Sequence, residues 1–229
     1  MPVNAFGGKE ARDGRLRFSN LGTCALLCEA PAPLSLEWQQ RLWNLAICAR
    51  AIAHVREVVP GMNNLMVVFD PEQLPAELLE RKIETLWPEC GASARRGKII
   101  ELSVVYGGEH GKDLDEVATR SGLSALEVIK RHAAGNYTVF FLGAYPGLGF
   151  LGGLPPELST PRRSIPRLKV VAGSVGIGGA QTAVMPATAP SGWNFIGHTD
   201  RTLFDVTATP PTLLAPGDQV RFRVDRIEI

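Results

Sequence analysis

The C-terminal half of the chain lacks helical periodicity, and this limits the possible folds more than any other property of the sequence. From Tyr137 onward, short apolar runs such as YTVFFLG, AQTAVMP and WNFIGHT are separated by glycine and proline. Closely spaced strands with glycine and proline turns are typical of a closed antiparallel barrel. In the last run, QVRFRVDRIEI, the alternation predicts that Val220, Phe222 and Val224 face the interior.

The first hundred residues show a different pattern, in which strands alternate with helices. LRFSNLGTCALLCEA predicts two short strands around a turn, and NLMVVFD predicts a buried strand. In SLEWQQRLWNLAICARAIAHVREV the apolar residues recur every three or four positions as far as Ala53, and Ser35 can cap this helix. A second helical stripe follows Pro75. We therefore expect a small α/β sandwich with its helices on one face of the sheet.

A change in composition at CGASARRGK, where small and basic residues dominate, indicates a domain boundary. The sequence therefore predicts an α+β protein with three segments: a flexible leader at 1–15, an α/β domain at 16–97 and a β-barrel domain at 98–229. One short helix is expected in the second domain, because Ser124 and Glu127 form a capping box. His132 is expected to be a cation at the C-terminal end of that helix.

Charge and composition exclude several classes of function. Lysine and arginine total 24 against 23 aspartates and glutamates, and a net charge of +1 gives no long-range field toward nucleic acid or anionic lipid. The first residues lack an apolar signal region, and no uncharged apolar run approaches the roughly 18 residues of a membrane helix, so we expect a cytoplasmic protein. The four cysteines lack the spacing of a disulfide scaffold or a zinc site, so we expect buried thiols and no metal.

The segment VVAGSVGIGGAQT, residues 170–182, is dense in glycine and raises the question of phosphate binding. It fails both common nucleotide motifs, because no lysine follows its paired glycines and no helical pattern follows the segment. One interpretation is that the glycines let two backbones approach closely at a barrel corner. The other is that Ser174, Gln181 and Thr182 present donors and acceptors to a ligand.

A basic cluster lies just upstream of this segment. It contains Arg162, Arg163, Arg167 and Lys169, with no acidic residue between positions 159 and 181. Such a cluster is commonly a solvated surface. Arginines held by neighbouring prolines can equally form a clamp for a carboxylate or a phosphate, because the planar guanidinium binds both in a bidentate way. The sequence leaves both interpretations open.

The turn in VVYGGEHGKDLDEVA is the third candidate for chemistry. Glu109 and His110 lie between glycines just past a strand, and a carboxylate and an imidazole can act as general base and acid. His198, in WNFIGHT, belongs either to the core or to the rim of a pocket. The stretch 143–161 is rich in glycine and proline and predicts a long irregular binding loop. The sequence contains no self-contained hydrolase signature, so the chain is expected to be one part of a catalyst.

An ordered set of motifs resembles one protein family. The motifs are VREVVP, NLMVVFDP, VVYGGEHGKDLDEVA, PGLGFLGGLP, TPRRSIPR, VAGSVGIGGAQT, PSGWNFIGHT and LFD, followed by LLAPGD before the last strand. Over residues 16–229 the chain is similar to the allophanate hydrolase subunit 1 family, whose members include one subunit of bacterial ATP-dependent 5-oxoprolinase and a sporulation-kinase inhibitor. Thr23, Leu148 and His198 depart from the usual family pattern. His198 replaces an arginine, which implies weaker anion binding there or a different substrate.

The resemblance implies an N-terminal ferredoxin-like α/β sandwich and a C-terminal cyclophilin-like β-barrel. It implies a subunit of an ATP-dependent 5-oxoprolinase, which opens 5-oxoproline to L-glutamate, with ATP handled by the assembled complex. The expected partners are an allophanate hydrolase subunit 2-type protein, a third 5-oxoprolinase subunit and the small-molecule substrate. Two alternatives stay open: a non-catalytic module that inhibits a sensor histidine kinase, and the carboxyltransferase component of a urea-carboxylase-like system.

On this interpretation the candidate residues form half of a site that a partner completes. Glu109 and His110 are the candidate catalytic residues. The candidate substrate-binding and anion-binding residues are Arg162, Arg163, Arg167, Ser174, Gln181, Thr182 and His198. The arginines are expected to hold carboxylate or phosphoryl oxygens, and Glu109 or His110 to move protons.

Overall fold

The computed structural model describes residues 14–92 and 97–229. The chain divides into two units, Met1–Arg95 and Arg96–Ile229. The predicted leader, residues 1–15, lies outside the described residues except for its last two. Residues 93–96 of the basic stretch at the predicted boundary also lie outside them.

The first unit is a four-stranded sheet with two α-helices. Its elements are β1 (Arg17–Leu21), β2 (Ala25–Glu29), α1 (Leu36–Arg50), β3 (Val55–Pro60), β4 (Asn64–Phe69) and α2 (Ala76–Leu86), with a 3-10 turn at Trp87–Glu89. The strand order is β1-β2-β4-β3, and each neighbouring pair is antiparallel. The predicted pair of strands around a turn, the buried strand and both helices are confirmed.

Both helices cover the same face of this sheet, and side chains from every second strand position meet them. The shared core contains Leu26, Cys28, Val58, Leu65, Val67 and Phe69 from the strands and Leu42, Leu45, Ala49, Leu79 and Ile83 from the helices. The α1 helix begins at its predicted cap, where Ser35 Oγ accepts a hydrogen bond from the Trp38 N–H at 3.1 Å. It ends at Arg50 rather than at Ala53 as predicted. His54 has a φ of 68°, and a left-handed residue cannot continue a right-handed helix, so the chain turns into β3.

The second unit is built around a closed β-barrel. Its elements are β5 (Ile99–Gly107), α3 (Leu114–Ser121), α4 (Ala125–Ala134), β6 (Tyr137–Leu142), β7 (Gly149–Gly152), β8 (Arg167–Val170), β9 (Ser174–Gly178), β10 (Gln181–Val184), β11 (Ala189–Ser191), β12 (Asn194–His198) and β13 (Gln219–Glu228), with a 3-10 turn at Pro156–Leu158. The barrel order is β10-β7-β6-β13-β5-β12-β9, which confirms the predicted closure. The β8 and β11 strands form a separate two-stranded sheet.

The barrel differs from the sequence-based expectations in its pairing. It was predicted to be antiparallel throughout, but β13 pairs in parallel with β5. A register shift lies between Val224 and Arg226, and Val224 is 45% exposed instead of facing the interior as predicted. Val224 is the last residue in register before this shift, and of the three predicted interior side chains only Val220 and Phe222 are buried.

Two further elements were not expected from the sequence. The stretch 143–161 was predicted to be irregular throughout, yet its residues Gly149–Gly152 form β7, a strand of the barrel wall. The helix α3 was not predicted, because its apolar stripe is only two turns long. Because α3 begins at Leu114, the turn that carries Glu109 and His110 leads directly into a helix, and this fixes the position of the turn.

The α4 helix has the predicted cap but an unexpected end. Ser124 Oγ accepts from the Glu127 N–H at 3.2 Å, which confirms the cap. His132 is fully buried, so the prediction of a helix-end cation is wrong. Its Nδ1 lies 2.8 Å from the Tyr106 hydroxyl and its Nε2 lies 2.9 Å from Thr182 Oγ1. Burial lowers the pKa of His132 to about 3, so the ring is neutral at pH 7.

Among the described residues, no helix combines the length and the apolar character that crossing a bilayer requires.

Candidate functional site

The glycine-dense segment forms part of the barrel and not a phosphate loop. Its residues run from β8 through β9 into β10, and no helix follows. A Cβ on Gly178 would lie 2.6 Å from the Trp193 ring, and a Cβ on Gly173, whose φ is 84°, would lie 2.1 Å from the Thr199 carbonyl oxygen. Side chains at these positions would therefore collide with the neighbouring strand. At Gly173 the interpretation that glycine allows close approach of two backbones is confirmed, whereas Gly178 makes room for the Trp193 ring.

An open pocket of about 140 Å³ lies where the turn after β5, the β8 strand and the start of β9 meet. Its lining residues are Glu109, His110, Lys112, Arg167, Lys169, Val170, Val171, Ser174 and Phe195. The structure thus brings together Glu109, His110, Arg167 and Ser174 from the predicted set. These residues come from three separate stretches of the sequence, and the barrel topology unites them.

A buried carboxylate holds the arginines of this wall. Asp113 is 2% exposed, and both of its oxygens face Arg167: Arg167 Nη1 donates to Oδ2 at 2.6 Å and Nη2 donates to Oδ1 at 2.7 Å. Arg163 Nη1 donates to Oδ1 at 2.8 Å, and the Phe195 N–H donates to Oδ2 at 2.7 Å. Asp113 therefore accepts four hydrogen bonds, three of them from guanidinium groups. A bidentate pair of this kind fixes the plane of the Arg167 guanidinium.

This arrangement changes which cations are available to a ligand. The guanidinium groups of Arg163 and Arg167 already face a carboxylate, so much of their charge is compensated inside the protein. Lys112 and Lys169 also line the pocket, are exposed, and form no ion pair with a carboxylate of the described residues. The two lysines are therefore the pocket cations best placed to meet an anionic ligand.

Two histidine rings contact each other at the pocket edge in a tilted arrangement. The ring centroids of His110 and His198 lie 4.7 Å apart, with an angle of 32° between the rings. His198 Nε2 lies 2.9 Å from the Ala172 carbonyl oxygen, which can only accept, so Nε2 carries a hydrogen. His198 Nδ1 lies 3.5 Å from Asp200 Oδ1. His198 is thus oriented by its own contacts and supports His110 from one side.

Other predicted site residues lie elsewhere on the second unit. The Arg162 guanidinium lies over the Trp193 ring, 5.6 Å from its centroid, and does not line the pocket. Gln181 is half-buried at the start of β10 and also lies outside the pocket lining. Thr182 is fully buried inside the barrel, where it contacts His132 and donates to the Gly176 carbonyl oxygen at 3.0 Å.

The predicted site residues omit three charged side chains at the pocket wall, Asp113, Lys112 and Lys169. Asp113 was not predicted, because it lies about fifty residues before the arginines with which it pairs and no local pattern links them. Lys169 was named in the basic cluster but not among the predicted binding residues, and Lys112 was not named, because a single lysine carries no local signal of a site. The start of a helix at DLDEVA was the one local signal that would have drawn attention to Asp113, since acidic residues are frequent in the first turn of a helix.

The four cysteines are free thiols. Cys28 and Cys90 are buried thiols, whereas Cys24 and Cys48 are exposed, so the expectation of four buried thiols is wrong for two of them. Burial raises the pKa of Cys90 to about 11 and that of Cys28 further, which keeps both protonated at pH 7. The described residues contain no group of three or more His, Cys, Asp or Glu side chains that could hold a metal ion.

Comparison with protein families and curated sequences gives consistent matches. The family described as carboxyltransferase domain, subdomain C and D, matches residues 16–214. The chain is 46% identical over 209 residues to the 5-oxoprolinase subunit designated B of Escherichia coli O157:H7, which covers 91% of this chain and 95% of that protein. Identity is 44% over 205 residues to the protein of the same name from Haemophilus influenzae, covering 90% and 96% of the two chains. Identity to the Bacillus subtilis protein of the same name is 41% over 177 residues, which covers 72% of this chain and 74% of that protein.

Solved structures share the fold. The conserved uncharacterized protein PH0987 from Pyrococcus horikoshii is 36% identical with a TM-score of 0.56, over 91% of this chain and 97% of that chain. TTHA0988 is 33% identical with a TM-score of 0.74, and the match covers 88% of this chain but only 39% of that chain. The urea amidolyase of K. lactis has a TM-score of 0.82 at 19% identity, over 95% of this chain and 15% of that chain, so this likeness concerns the fold alone.

Proposed function

The chain belongs to the family of the carboxyltransferase domain, subdomain C and D, and to that of the 5-oxoprolinase subunit designated B, and we propose that it acts as one subunit of an ATP-dependent 5-oxoprolinase. Such a complex opens the ring of 5-oxoproline to give L-glutamate. The observation that carries the proposal is the identity of 46% to the Escherichia coli protein over 95% of that protein's length. The enzyme class is then a hydrolase of a cyclic amide, with this chain contributing part of the site.

The chemistry of 5-oxoproline suits the charges of the pocket. The molecule carries one carboxylate and one cyclic amide, so its binding requires a cation near one end. Lys112 and Lys169 are exposed pocket cations without an internal counter-charge, and they are our candidates to hold the carboxylate or a phosphoryl group of ATP. Arg167 lines the same pocket, but its guanidinium is fixed by Asp113 and is not free to turn toward a ligand.

Ring opening also needs a proton to reach the nitrogen that leaves the carbonyl carbon. Glu109 and His110 line the same pocket on an exposed turn, and we assign the proton transfer to one of them. The His198 ring contacts His110 and is held by the Ala172 carbonyl oxygen, so we propose that it keeps the His110 imidazole in place. Ser174 offers a hydroxyl on the buried side of the pocket.

ATP fits this pocket only in part. Pockets that enclose whole small molecules measure about 300–1,000 Å³. The pocket here measures about 140 Å³ and is open, so it suits one anionic group and not an entire nucleotide. We therefore assign ATP to the assembled complex, in which the lysines contact its anionic end.

The same mismatch in size supports a shared site. An open pocket that holds only part of its ligands requires a second surface to exclude water and to complete the contacts. We propose that an allophanate hydrolase subunit 2-type protein supplies that surface, and that the third 5-oxoprolinase subunit joins them in the turnover of 5-oxoproline.

We further assign the two units to named folds. The first unit has the order ββαββα, and its sheet order β1-β2-β4-β3 corresponds to a ferredoxin-like β-α-β-β-α-β sheet in which β1 takes the place of the last strand. The closed seven-stranded barrel of the second unit is consistent with a cyclophilin-like fold.

Reconstitution tests the proposed function. The purified chain, mixed with the subunit 2-type protein and the third subunit from the same organism, is expected to release glutamate from 5-oxoproline in the presence of ATP. Leaving out this chain is the matched control and should abolish the release. If the two other proteins produce glutamate equally fast without it, the chain is not a subunit of the enzyme and the proposal fails.

A further inference from the structure

All four cysteines lie in the first unit, and two of them meet where α1 packs against the segment that follows α2. Cys48 lies in the last turn of α1, and Cys90 directly follows the 3-10 turn Trp87–Glu89. Cys90 is 4% exposed, whereas Cys48 is exposed to solvent. Neither thiol has a part in the proposed function.

One stripe of α1 holds the segment that carries Cys90. Arg41 Nε donates to the Cys90 carbonyl oxygen at 2.8 Å. Asn44 Nδ2 donates to the Gly91 carbonyl oxygen at 2.7 Å. Cys48 lies one helical turn beyond Asn44 and two turns beyond Arg41, so these three side chains share one stripe of the helix. The stripe that binds the backbone of residues 90 and 91 therefore also presents the Cys48 thiol to them.

The two thiols contact each other. The Cys48 side chain is a hydrogen-bonding neighbour of the Cys90 side chain. Burial, and after it the charge and the hydrogen bond of Cys48, raise the pKa of Cys90 to about 11. Cys90 is therefore a protonated thiol at pH 7 that solvent does not reach, and Cys48 is the sulfur of the pair that a dissolved reagent meets first.

The other two cysteines of the unit also combine one exposed and one buried thiol, but they are too far apart to react with each other. Cys28 is buried in β2, and Cys24 is exposed just before this strand. The chain between them is extended, because the Cys24 carbonyl oxygen accepts from the Phe69 N–H and continues the pairing of β2 with β4. Four residues of strand span about 13 Å, and a disulfide requires Cα atoms within about 7 Å.

We propose that Cys48 and Cys90 form a site of reversible disulfide formation, for which a low-molecular-weight disulfide such as glutathione disulfide is the oxidant. The bond closes a loop of about forty residues and ties α1 to the chain that follows α2, which restricts the unfolded state of this unit. The inference goes beyond the proposed function and does not depend on it.

The reaction takes two exchange steps. The Cys48 thiolate attacks one sulfur of glutathione disulfide, which forms a mixed disulfide on Cys48 and releases one glutathione thiolate. The Cys90 sulfur then attacks the Cys48 sulfur and displaces the second glutathione thiolate, which takes up the proton that Cys90 loses. Two protein thiols are oxidised, and one glutathione disulfide is reduced to two molecules of glutathione. An excess of thiol reverses both steps.

Peptide mapping of the full chain tests the pair. The reduced protein is incubated with glutathione disulfide in a mildly alkaline buffer, alkylated and digested with trypsin. Cleavage after Arg41, Arg50 and Lys82 places Cys48 and Cys90 on separate peptides. We expect a disulfide-linked pair of these peptides, with loss of most of the alkylated Cys90 peptide, and we expect dithiothreitol to restore it. A mixed disulfide on Cys48 without any linked peptide would overturn the proposal.

Three serine variants separate the roles of the thiols. Cys90→Ser leaves Cys48 without its partner, so the mixed disulfide on Cys48 should accumulate. Cys48→Ser removes the attacking sulfur, so we expect oxidation of Cys90 to slow at least about tenfold. Cys24→Ser is the matched control, since it removes the other exposed thiol, and it should leave the linked peptide unchanged.

These variants also define the results that would contradict the pair. Melting curves confirm that each variant folds, and a variant that does not fold is replaced by its alanine counterpart. If Cys90 is oxidised as fast in Cys48→Ser as in the wild type, Cys48 is not the entry point and the inference is wrong. It is equally wrong if the linked peptides join Cys48 residues of two different chains. Release of glutamate by the reconstituted complex tests the proposed function independently of all these results.

Discussion

The second unit contains two buried polar networks, one inside the barrel and one in the pocket wall, and they differ in charge. The interior network joins Tyr106, His132 and Thr182, all neutral at pH 7. The wall network joins Asp113 to Arg163 and Arg167 and is ionic. Both central groups are almost fully enclosed, so the amount of burial does not distinguish them.

What distinguishes them is whether a counter-charge is within reach. No cation or carboxylate contacts the His132 ring among the described residues, so desolvation keeps the ring neutral and its hydrogen bonds are of the uncharged kind. Asp113 has two guanidinium groups whose outer parts reach the surface, so its charge is compensated and the pair acts on the pocket beside it. The interior network thus stabilises the barrel, whereas the wall network shapes a site.

The largest expected effect follows removal of the central carboxylate of the wall. Asp113→Ala leaves Arg163 and Arg167 facing one another without an anion, and we expect the free energy of unfolding of the second unit to fall by about 3 kcal/mol. Urea denaturation at pH 7 measures this. Arg223→Ala, which removes an exposed pair with Glu101, is the control and should leave the urea midpoint unchanged. An Asp113→Ala protein with the wild-type midpoint would contradict the role assigned to the network.

The interior network is expected to show itself in the pH dependence of stability. The pKa of His132 is about 3 in the folded protein, below the value of 6.5 for an exposed histidine, so below pH 6.5 the unfolded chain binds a proton that the folded chain does not. The free energy of unfolding must therefore fall as the pH is lowered from 6.5 toward 3. Between pH 7 and pH 5 we expect the wild type to lose roughly 2 kcal/mol more than His132→Gln. Identical pH profiles for the two proteins would show that His132 titrates normally.

Removing either of the two pocket lysines is expected to have a smaller effect, which is confined to substrate binding. Lys112→Met and Lys169→Met should each raise the KM for 5-oxoproline or for ATP about tenfold in the reconstituted complex, because each removes a charge that a bound anion would contact. Lys130→Met is the matched control, since Lys130 is an exposed lysine of α4 outside the pocket. An unchanged KM for both substrates in both variants would indicate that the arginines, and not these lysines, bind the anion.

The smallest expected effect concerns Thr182, which the sequence assigned to the binding site and which the structure places in the interior network. Thr182→Val keeps the shape of the side chain but removes the hydroxyl that contacts His132 and Gly176. We expect a loss of about 1 kcal/mol in the free energy of unfolding and no change in the KM for 5-oxoproline. A raised KM with unchanged stability would instead indicate that Thr182 contacts the ligand.

Most of the elements could be predicted from the sequence, because burial on one face imposes a period on the apolar residues. The caps at Ser35 and Ser124 marked two helix starts correctly, and the glycine-broken apolar runs indicated a closed barrel. The parallel pairing of β5 with β13 could not be predicted, because the two strands lie more than a hundred residues apart and neither carries a local signal of its partner. The end of α1 at Arg50 could not be predicted either, since the helical pattern of apolar residues continues to Ala53.

The candidate site was predictable only as separate pieces. Glu109, His110 and the arginines were recognisable as chemically capable groups, but their meeting at one pocket depends on how the barrel strands are ordered. The sequence could not show that Asp113 compensates Arg163 and Arg167, because it lies about fifty residues before them. His132 was misjudged because its helix position suggests exposure, and only the closed barrel places other strands over it.

The position of β13 between β5 and β6 has a consequence for how the protein is made on the ribosome. The elements of the first unit all lie within residues 17–89, so its sheet can assemble while later segments are still being synthesised. In the second unit, a nascent chain that has not yet extended past residue 219 has a slot where β13 belongs, with the edges of β5 and β6 unpaired. These edges can pair with other chains until the final strand fills the slot, so slow translation or early termination near this strand should expose the protein to aggregation.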